Sequence, residues 1–313
     1  MKLWSRWVQL LDRRESAFPL ALVRLAASLI VILHISRIWE KGIYLWVWAD
    51  DDYGGLRNLN GGFLERFGGL TPENVQMVMA MTIVAALAMF LGIGTRIACV
   101  ATALGYGYLA DINGHAGGSY DELVKNTLYL LVLSGCGRAL SLDERLRPTD
   151  GMTTAWPRWL MIFQLVLMYW MTALQKVSSS WIPVAESDAL FYILQQTTWQ
   201  RFPLPLENLA TIYPLTRLAT FGVWTWEQSA PLLLLAYYFR ETRDRPGRLR
   251  TLFNRYDFRS IYLLFGLGMH LGIEALMEVG PFSFASLTLY LACFHPEEWA
   301  SLRQRLFVRG SGR

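Results

Sequence analysis

Ionisable side chains inside apolar runs are the residues of this chain that could do chemistry, because such groups usually face a cavity or a partner. Lys176 closes an apolar run from Trp159 and meets no opposite charge nearby in the sequence ("YWMTALQKVSSSW", residues 169–181). Glu227 lies among tryptophan and leucine ("WTWEQSAPLLLL"). A carboxylate in such surroundings needs a partner or a proton, so both residues are candidates for a buried polar site.

Two helical faces carry further polar residues. Tyr169, Thr172 and Lys176 are spaced i, i+3 and i+7, which places them on one face of a helix. On another run, His270 lies near the middle and Glu274 follows one turn later on the same face. The residues that we expect to line a pocket are Tyr169, Thr172, Glu227 and Glu274.

The elements that must position these residues are membrane helices. The chain is 53% hydrophobic and only 17% charged, whereas a soluble domain usually carries about a quarter charged residues. About 20 apolar residues cross a bilayer, and a spanning segment must satisfy its backbone hydrogen bonds internally, which predicts helices. We predict an all-α polytopic bundle of about eight spans, forming one integral membrane domain over residues 1–313. The runs lie roughly at 18–38, 75–94, 96–112, 123–137, 159–176, 218–239, 260–278 and 281–295.

The basic residues predict the orientation of the bundle. If the N-terminus is cytoplasmic, 20 lysines and arginines fall in the inner segments and 6 in the outer segments. This asymmetry is typical of the positive-inside rule and predicts that both termini are cytoplasmic. The arginines between 240 and 259 then face anionic lipid, so the expected partner is the lipid bilayer and not nucleic acid.

This orientation brings most of the candidate residues to one depth. Lys176, Glu227 and Glu274 lie in the outer half of the membrane, and His115 lies in an outer connection ("DINGHAGGSYDE", residues 111–122). Arg24, in the first span, is the exception and lies towards the inner side. We therefore expect the outer residues to converge on one site.

Each candidate also has a simpler interpretation. Lys176 can extend to the headgroups from a helix end, and His270 with Glu274 can form a hydrogen bond between helices. His115 can be a solvated loop residue. A metal site made from His270, Glu274 and Glu227 lacks the Glu-x-x-His spacing of di-iron bundles, so no metal is predicted.

The cysteines and the long loops add little chemistry. Cys99, Cys136 and Cys293 lie in apolar runs without CxxC or Cys/His spacing, and we interpret them as buried small hydrophobic residues. The expected outer segments 39–74 and 177–217 are long, and long ordered loops are often functional caps. The second of them is rich in aromatic residues, which suits a helix lying in the membrane interface.

Several stretches, taken in order, resemble the HTTM domain. This domain is the membrane part of the vitamin K-dependent γ-carboxylases and also occurs as a stand-alone bacterial membrane protein. "YWMTALQKVSSSWI" is similar to a Tyr-Phe-x-Ala-Gly-x-x-Lys stretch followed by a tryptophan five residues later. The other similar stretches are "PLALVRLAASLIVILH", "LGIGTRIACVATALGYGYL", "YDELVKNTLYLLVLSGCGRALSLD" and "GMHLGIEALMEVGPFSFASLTLYLACFHPEEW".

The resemblance implies a role for Lys176. In the γ-carboxylases the lysine of this stretch is the base that deprotonates the reduced vitamin, and an amine kept out of water can accept a proton. Reaction of the quinol with O2 then yields a strong base that removes a γ-proton from glutamate, and CO2 traps the carbanion. The family's two histidines correspond to His270 and His115. The implied cofactors are therefore a reduced quinone (vitamin K or menaquinol), O2 and CO2, and the implied location is a bacterial inner membrane.

The chain also departs from the γ-carboxylases. Thr172 and Ala173 replace the Ala-Gly before the lysine, and Gln175 replaces a basic residue. The γ-carboxylases continue into a β-rich outer domain that holds the protein substrate. We expect no such domain here, because the chain ends soon after its last span.

Three functions follow as alternatives. The first is an enzyme in which Lys176 is the general base, His270 and His115 orient the quinol, and Glu227 sets the local field. The second is a non-enzymatic partner, which binds lipid or assists the maturation of a secreted peptide, or which works with a partner subunit. A transporter is the weakest, since no repeat is apparent and few helices are expected to be broken.

Overall fold

The structure is a computed structural model that describes residues 2–56, 59, 61–183 and 185–310. The chain is mostly helical, as predicted, and folds into two compact units. Unit 1 is Met1–Met161 together with Gly280–Arg313, and unit 2 is Ile162–Val279.

α-Helices form most of the regular structure of the chain. The α-helices are α1 (Lys2–Leu11), α2 (Phe18–Glu40), α3 (Tyr44–Val47), α4 (Pro72–Leu91), α5 (Thr95–Ile112), α6 (Ser119–Leu133), α7 (Leu142–Leu146), α8 (Trp156–Gln175), α9 (Ala189–Ile193), α10 (Leu209–Gln228), α11 (Pro231–Glu241), α12 (Arg248–Tyr256), α13 (Phe258–Leu276), α14 (Phe282–Cys293) and α15 (Pro296–Gly310). Two strands are β1 (Arg14–Ser16) and β2 (Met152–Thr154), and the 3₁₀-helices are Asp51–Tyr53, Gly62–Phe67, Cys136–Arg138 and Leu206–Asn208.

Seven of the eight predicted runs are each one helix, namely α2, α4, α5, α6, α8, α13 and α14. The prediction of one helix over 218–239 is wrong. The segment contains the end of α10 and most of α11, separated by a turn at residues 229–230. Pro231 accounts for the break, because a proline has no N–H and its ring crowds the carbonyl four residues earlier. Moreover, α10 begins at Leu209, within the predicted outer loop.

Local sequence sets the ends of α4. Thr71 caps its start by accepting a hydrogen bond from the Asn74 N–H (3.2 Å), and Pro72 occupies the first turn. The helix ends at Gly92, whose φ of +70° suits glycine. A Cβ added to Gly92 would lie 2.3 Å from Cβ of Ser141, so the chain after α6 passes directly against this turn.

Within unit 1, Arg24 joins the end of α4 to the segment that follows α6. It lies in α2, is fully buried, and donates hydrogen bonds to the carbonyls of Met89, Phe90 (3.1 Å) and Leu140 (2.6 Å). The first two acceptors are in the last turn of α4, where carbonyls have no partner within the helix. Arg24 thus caps one helix from another and fixes a third segment.

A short antiparallel ribbon pairs the two segments that lead into α2 and α8. β1 pairs with β2 in the register Glu15↔Thr153, immediately before α2 and α8 respectively. Glu15 and Arg158 are buried and form a two-point ion pair, with distances of 2.7 and 2.9 Å. Arg158 also donates to the carbonyl of Ala292 in α14 (3.3 Å).

Unit 2 is formed by the last part of α8, by α9 to α13 and by their connections. α10 packs against α9 and α13, while α11 packs against α12 and α13. Residues 199–201 run antiparallel to residues 276–278: the Arg201 N–H donates to the Leu276 carbonyl (3.0 Å), and the Glu278 N–H donates to the Trp199 carbonyl (2.8 Å). This pairing holds the segment around Trp199, in the connection between α9 and α10, against the end of α13.

By length and composition, two helices of the described part of the chain, Phe18–Glu40 and Pro72–Leu91, are apolar enough to cross a bilayer. Phe282–Cys293 is apolar but shorter. The other predicted spans are single helices except residues 218–239. The position of all the spans in a membrane stays a prediction, together with the orientation.

Candidate functional site

The central feature of unit 2 is an ion pair between Lys176 and Glu227. The Nζ atom of Lys176 lies 2.8 and 2.6 Å from the two carboxylate oxygens of Glu227. The two side chains are 15% and 7% exposed, so both charges are largely removed from water. Glu227 thus has its partner, Lys176, directly after the end of another helix and 51 residues away in the sequence.

The turn at the end of α8 positions Lys176 beside the Glu227 carboxylate. α8 ends at Gln175, and the chain turns so that the ring of Trp181 lies 4.4 Å from the Lys176 ammonium. A cation above an indole face is attracted by the ring's negative face. Trp181 was not among the predicted site residues, although the Lys-x₄-Trp spacing in the sequence was the available signal.

The break between α10 and α11 places Glu227 at a helix end. The Ala230 N–H donates to the Glu227 carbonyl (3.1 Å), which replaces the hydrogen bond that Pro231 cannot make. Glu227 therefore lies in the last turn of α10, where the helix dipole disfavours a negative charge. Without Lys176, this carboxylate would be opposed by burial and by the helix dipole together.

A second pair joins α8 to α13. The Tyr169 hydroxyl lies 2.6 Å from Nε2 of His270, and both residues are buried. The ring of Trp226 is 4.5 Å from that of Tyr169 and stacks on Tyr262 at 4.8 Å and Phe265 at 5.7 Å. Since Trp226 directly precedes Glu227, this aromatic cluster connects the tyrosine–histidine pair to the lysine–glutamate pair.

Glu274 is held by a residue that the sequence did not suggest for the site. Its carboxylate forms an ion pair with Arg201 (3.2 Å) in the connection that pairs with the end of α13. The other carboxylate oxygen, Oε2, is buried and has no hydrogen-bond partner among the described residues. In the sequence, Arg201 is one of the basic residues of the predicted outer segment 177–217.

Thr172 and His115 take no part in these pairs. The Thr172 hydroxyl donates to the Met168 carbonyl of its own helix (2.8 Å), so it is already satisfied within α8. His115 belongs to unit 1, where it is exposed in the turn after α5. Its predicted role stays a prediction.

The groups gathered in unit 2 combine side chains that transfer protons with aromatic faces. An amine can take a proton, a phenol and an imidazole can donate or accept hydrogen bonds, and aromatic faces can stack on a planar ring. For a metal, the described residues contain no group of three or more His, Cys, Asp or Glu side chains with suitable geometry.

Comparison with known proteins identifies the domain. A family model described as the HTTM domain matches residues 13–244, which include Lys176 and Glu227 but end before His270. No solved structure matches the chain.

Proposed function

The chain belongs to the HTTM domain family, the membrane domain of vitamin K-dependent carboxylase-like proteins, and from this membership we propose that it is a membrane enzyme that uses a reduced quinone and O2. Lys176 is the general base of this proposal. A reduced quinone, when bound, would supply all four electrons needed to reduce O2, so that one oxygen atom would enter the quinone epoxide and the other would leave as water. The resemblance extends the proposal to carboxylation, in which CO2 is added to a glutamate side chain.

The observation that carries the proposal is the contact between Lys176 and Glu227 at 2.6 and 2.8 Å. An ammonium cannot act as a base, so Lys176 must first give up a proton. In water the charged pair is strongly favoured, but burial removes hydration from both ions and brings the neutral pair closer in free energy. Transfer of one proton from Nζ to a Glu227 oxygen would leave a neutral amine and a neutral acid.

Other residues of unit 2 have positioning roles in this proposal. The aromatic cluster around Trp226 offers faces on which a quinol ring can stack. The Tyr169–His270 pair can donate or accept a hydrogen bond at a ring oxygen, and its tautomer decides which. The ion pair of Glu274 with Arg201 fixes the connection between residues 199 and 201 beside α13.

A matched pair of lysine variants tests the proposal. Purified protein in nanodiscs is supplied with reduced menaquinone or vitamin K and O2, and the epoxide is measured by mass spectrometry. We expect epoxide from the wild type and none from Lys176→Ala. Lys125→Ala is the control, because Lys125 also forms ion pairs, with Asp111 and Glu122 at 2.7 Å, but belongs to unit 1. Equal turnover by the wild type and Lys176→Ala would refute the assignment of the base.

The second candidate function is a non-enzymatic partner protein for a secreted peptide or a lipid. It is favoured by the exposed aromatic side chains of the connection in unit 2, of which Tyr192 is 54%, Trp199 43% and Phe202 64% exposed. Exposed aromatic groups of this kind are common where a protein meets a membrane or a partner. A folded wild-type protein that forms no epoxide, and that retains a peptide through this connection, would favour the second function.

The proposed setting is a bacterial inner membrane crossed by about eight helices, with both termini cytoplasmic. Family membership and the apolar helices support a membrane location. The distribution of lysine and arginine supports the orientation. In this orientation Lys176 and Glu227 lie in the outer half of the bilayer, where a lipid-soluble quinone can enter sideways.

A further inference from the structure

A large cleft in unit 1 has no part in the proposed chemistry. It has a volume of about 1030 Å³ and lies where the turn between α4 and α5, the end of α6 and the β1–β2 ribbon meet. Four arginines line it: Arg14, Arg96, Arg138 and Arg147. All four fall in segments that the sequence assigns to the inner side of the membrane.

The two acidic residues of the cleft are already engaged within the protein. Asp143 accepts hydrogen bonds from the N–H of Gly94 (2.9 Å) and from the N–H and hydroxyl of Thr95 (both 2.7 Å). Glu144 accepts two hydrogen bonds from Thr149, from its N–H at 2.7 Å and its hydroxyl at 2.8 Å. Neither carboxylate is paired with an arginine of the cleft.

Two of the four arginines remain available for a ligand. Arg14 and Arg138 lie 2.7 and 3.7 Å from Asp150, which partly neutralises both. Arg96 and Arg147 are exposed, and across the described residues neither side chain has an ion-pair or hydrogen-bond partner. A guanidinium is always charged and binds phosphate oxygens through two parallel hydrogen bonds. The cleft therefore presents an excess of positive charge, which favours an anionic group such as a phosphate.

Other residues of the lining are aliphatic. Ile97, Leu133 and Leu146 line the same cleft and are 77%, 60% and 80% exposed. Such exposure suits contact with lipid chains better than contact with water. Guanidinium groups beside exposed aliphatic side chains match a molecule with a phosphate and hydrocarbon chains.

We propose that this cleft binds the phosphodiester headgroup of an anionic phospholipid, with Arg96 and Arg147 on the phosphate and the acyl chains along Ile97, Leu133 and Leu146. Basic pockets at the inner side of membrane helices bind anionic lipid headgroups in this manner. A free phosphate shares the same anionic chemistry but would gain nothing from the aliphatic residues. The site is independent of the proposed quinol reaction.

Native mass spectrometry of lipid binding tests the site. Phosphatidylglycerol is titrated into the detergent-solubilised full chain, and bound lipid is compared for the wild type and Arg96→Gln/Arg147→Gln. The double variant is expected to bind about 30-fold more weakly, since each arginine near a lipid surface contributes a factor of roughly five. The matched control is Arg145→Gln/Arg305→Gln, which removes the same charge from two exposed arginines outside the cleft and is expected to leave binding unchanged.

Three further arms make the result decisive. Phosphatidylcholine with the same chains is expected to bind weakly to all proteins, and inorganic phosphate is expected not to displace phosphatidylglycerol. Arg96→Lys/Arg147→Lys, with helix content checked by circular dichroism, is expected to fold and to recover part of the binding. Displacement by inorganic phosphate would assign the cleft to a soluble phosphate compound and overturn the lipid proposal. Equal weakening in the control double variant would overturn it as well, by reducing the effect to net charge.

Discussion

At the scale of single residues, the Lys176–Glu227 pair is the feature on which the proposed function depends. The pair places an amine and an acid in contact, both largely shielded from water, beside a cluster of aromatic rings. Burial makes each charge costly without the other, and the position of Glu227 in the last turn of α10 adds to the cost of its carboxylate. The same features reduce the cost of moving a proton between them.

Single substitutions in the pair should therefore have unequal effects on stability. Lys176→Met leaves a carboxylate that is 7% exposed without its cation, and we expect a loss of about 3 kcal/mol. Glu227→Gln should cost less, because a lysine at a helix end can extend towards the membrane surface. Thermal unfolding of the wild type, both single variants and the double variant Lys176→Met/Glu227→Gln measures the coupling. Purely additive losses would show that the pair contributes no mutual stabilisation.

Asp143 provides a residue-scale prediction of pH dependence. Although burial acts in the opposite direction, hydrogen bonds from Thr95 and Gly94 lower the pKa of Asp143 below its ordinary value of 3.8. The stability that this carboxylate contributes is therefore complete above pH 3.8 and is lost as the pH falls through the lower pKa of the folded state. Asp143→Asn replaces one of the two acceptor oxygens by an NH2 group and should cost about 1 kcal/mol at neutral pH, as the loss of a hydrogen bond does.

The difference in thermal unfolding midpoint between the wild type and Asp143→Asn measures this contribution. It should be constant near neutral pH and should shrink in acid. Asp244→Asn is the control, because Asp244 lies in an exposed turn of unit 2 and should show no such difference. A wild-type advantage that grows as the pH falls would contradict the assignment.

The sequence predicted part of the site at this scale. It predicted that Lys176 and Glu227 share a depth, because both fall in the outer half of the membrane in the predicted orientation, and a buried carboxylate requires a partner. It did not indicate Trp181 or Arg201, since these contacts depend on the path of irregular connections that hydropathy does not describe. Helical spacing predicted the face of α8 on which Thr172 lies. It did not predict that the Thr172 hydroxyl donates to the Met168 carbonyl of the same helix.

At the scale of elements, apolar runs were a good guide to helices and a poor guide to helix breaks. Seven predicted runs are each one helix, but residues 218–239 form parts of two. The apolar pattern continues through the break, so only Pro231 marks it, and proline is tolerated within many membrane helices. The β1–β2 ribbon was also missed, because three-residue strands leave no periodic pattern.

Arg24 supports a prediction about helix packing. Its guanidinium reaches carbonyls of two separate segments, the last turn of α4 and Leu140. A lysine has a single ammonium group and cannot bridge both, so Arg24→Lys should leave at least one buried carbonyl unsatisfied and cost about 1–3 kcal/mol. Arg37→Lys, on the same helix but exposed, is the matched control. Equal thermal stability of Arg24→Lys and the wild type would show that Arg24 does not join these segments.

At the scale of the whole molecule, the sequence predicts one membrane domain over residues 1–313, and the structure shows two compact units within the chain. Unit 1 contains both ends of the chain, and such a division depends on contacts between distant segments. Hydropathy and charge describe each span separately and do not contain that information. They do predict the side of the membrane on which each connection lies.

Labelling of single cysteines tests that orientation. After Cys99, Cys136 and Cys293 are replaced by alanine, Gly117→Cys should react with a membrane-impermeant maleimide added to intact cells, because it lies in an expected outer connection. Arg145→Cys should react only after the membrane is permeabilised. The reverse pattern would refute the orientation with both termini cytoplasmic, and with it the outer position of Lys176.

The most direct test of the central claim is epoxide formation by Lys176→Arg. A guanidinium keeps its positive charge and can still pair with Glu227, but it cannot become a neutral base. We expect this variant to have a thermal unfolding midpoint close to that of the wild type and to form no epoxide from reduced quinone and O2. Epoxide formation at the wild-type rate would contradict the account, because it would show that positive charge at this position is sufficient and that no proton is accepted there.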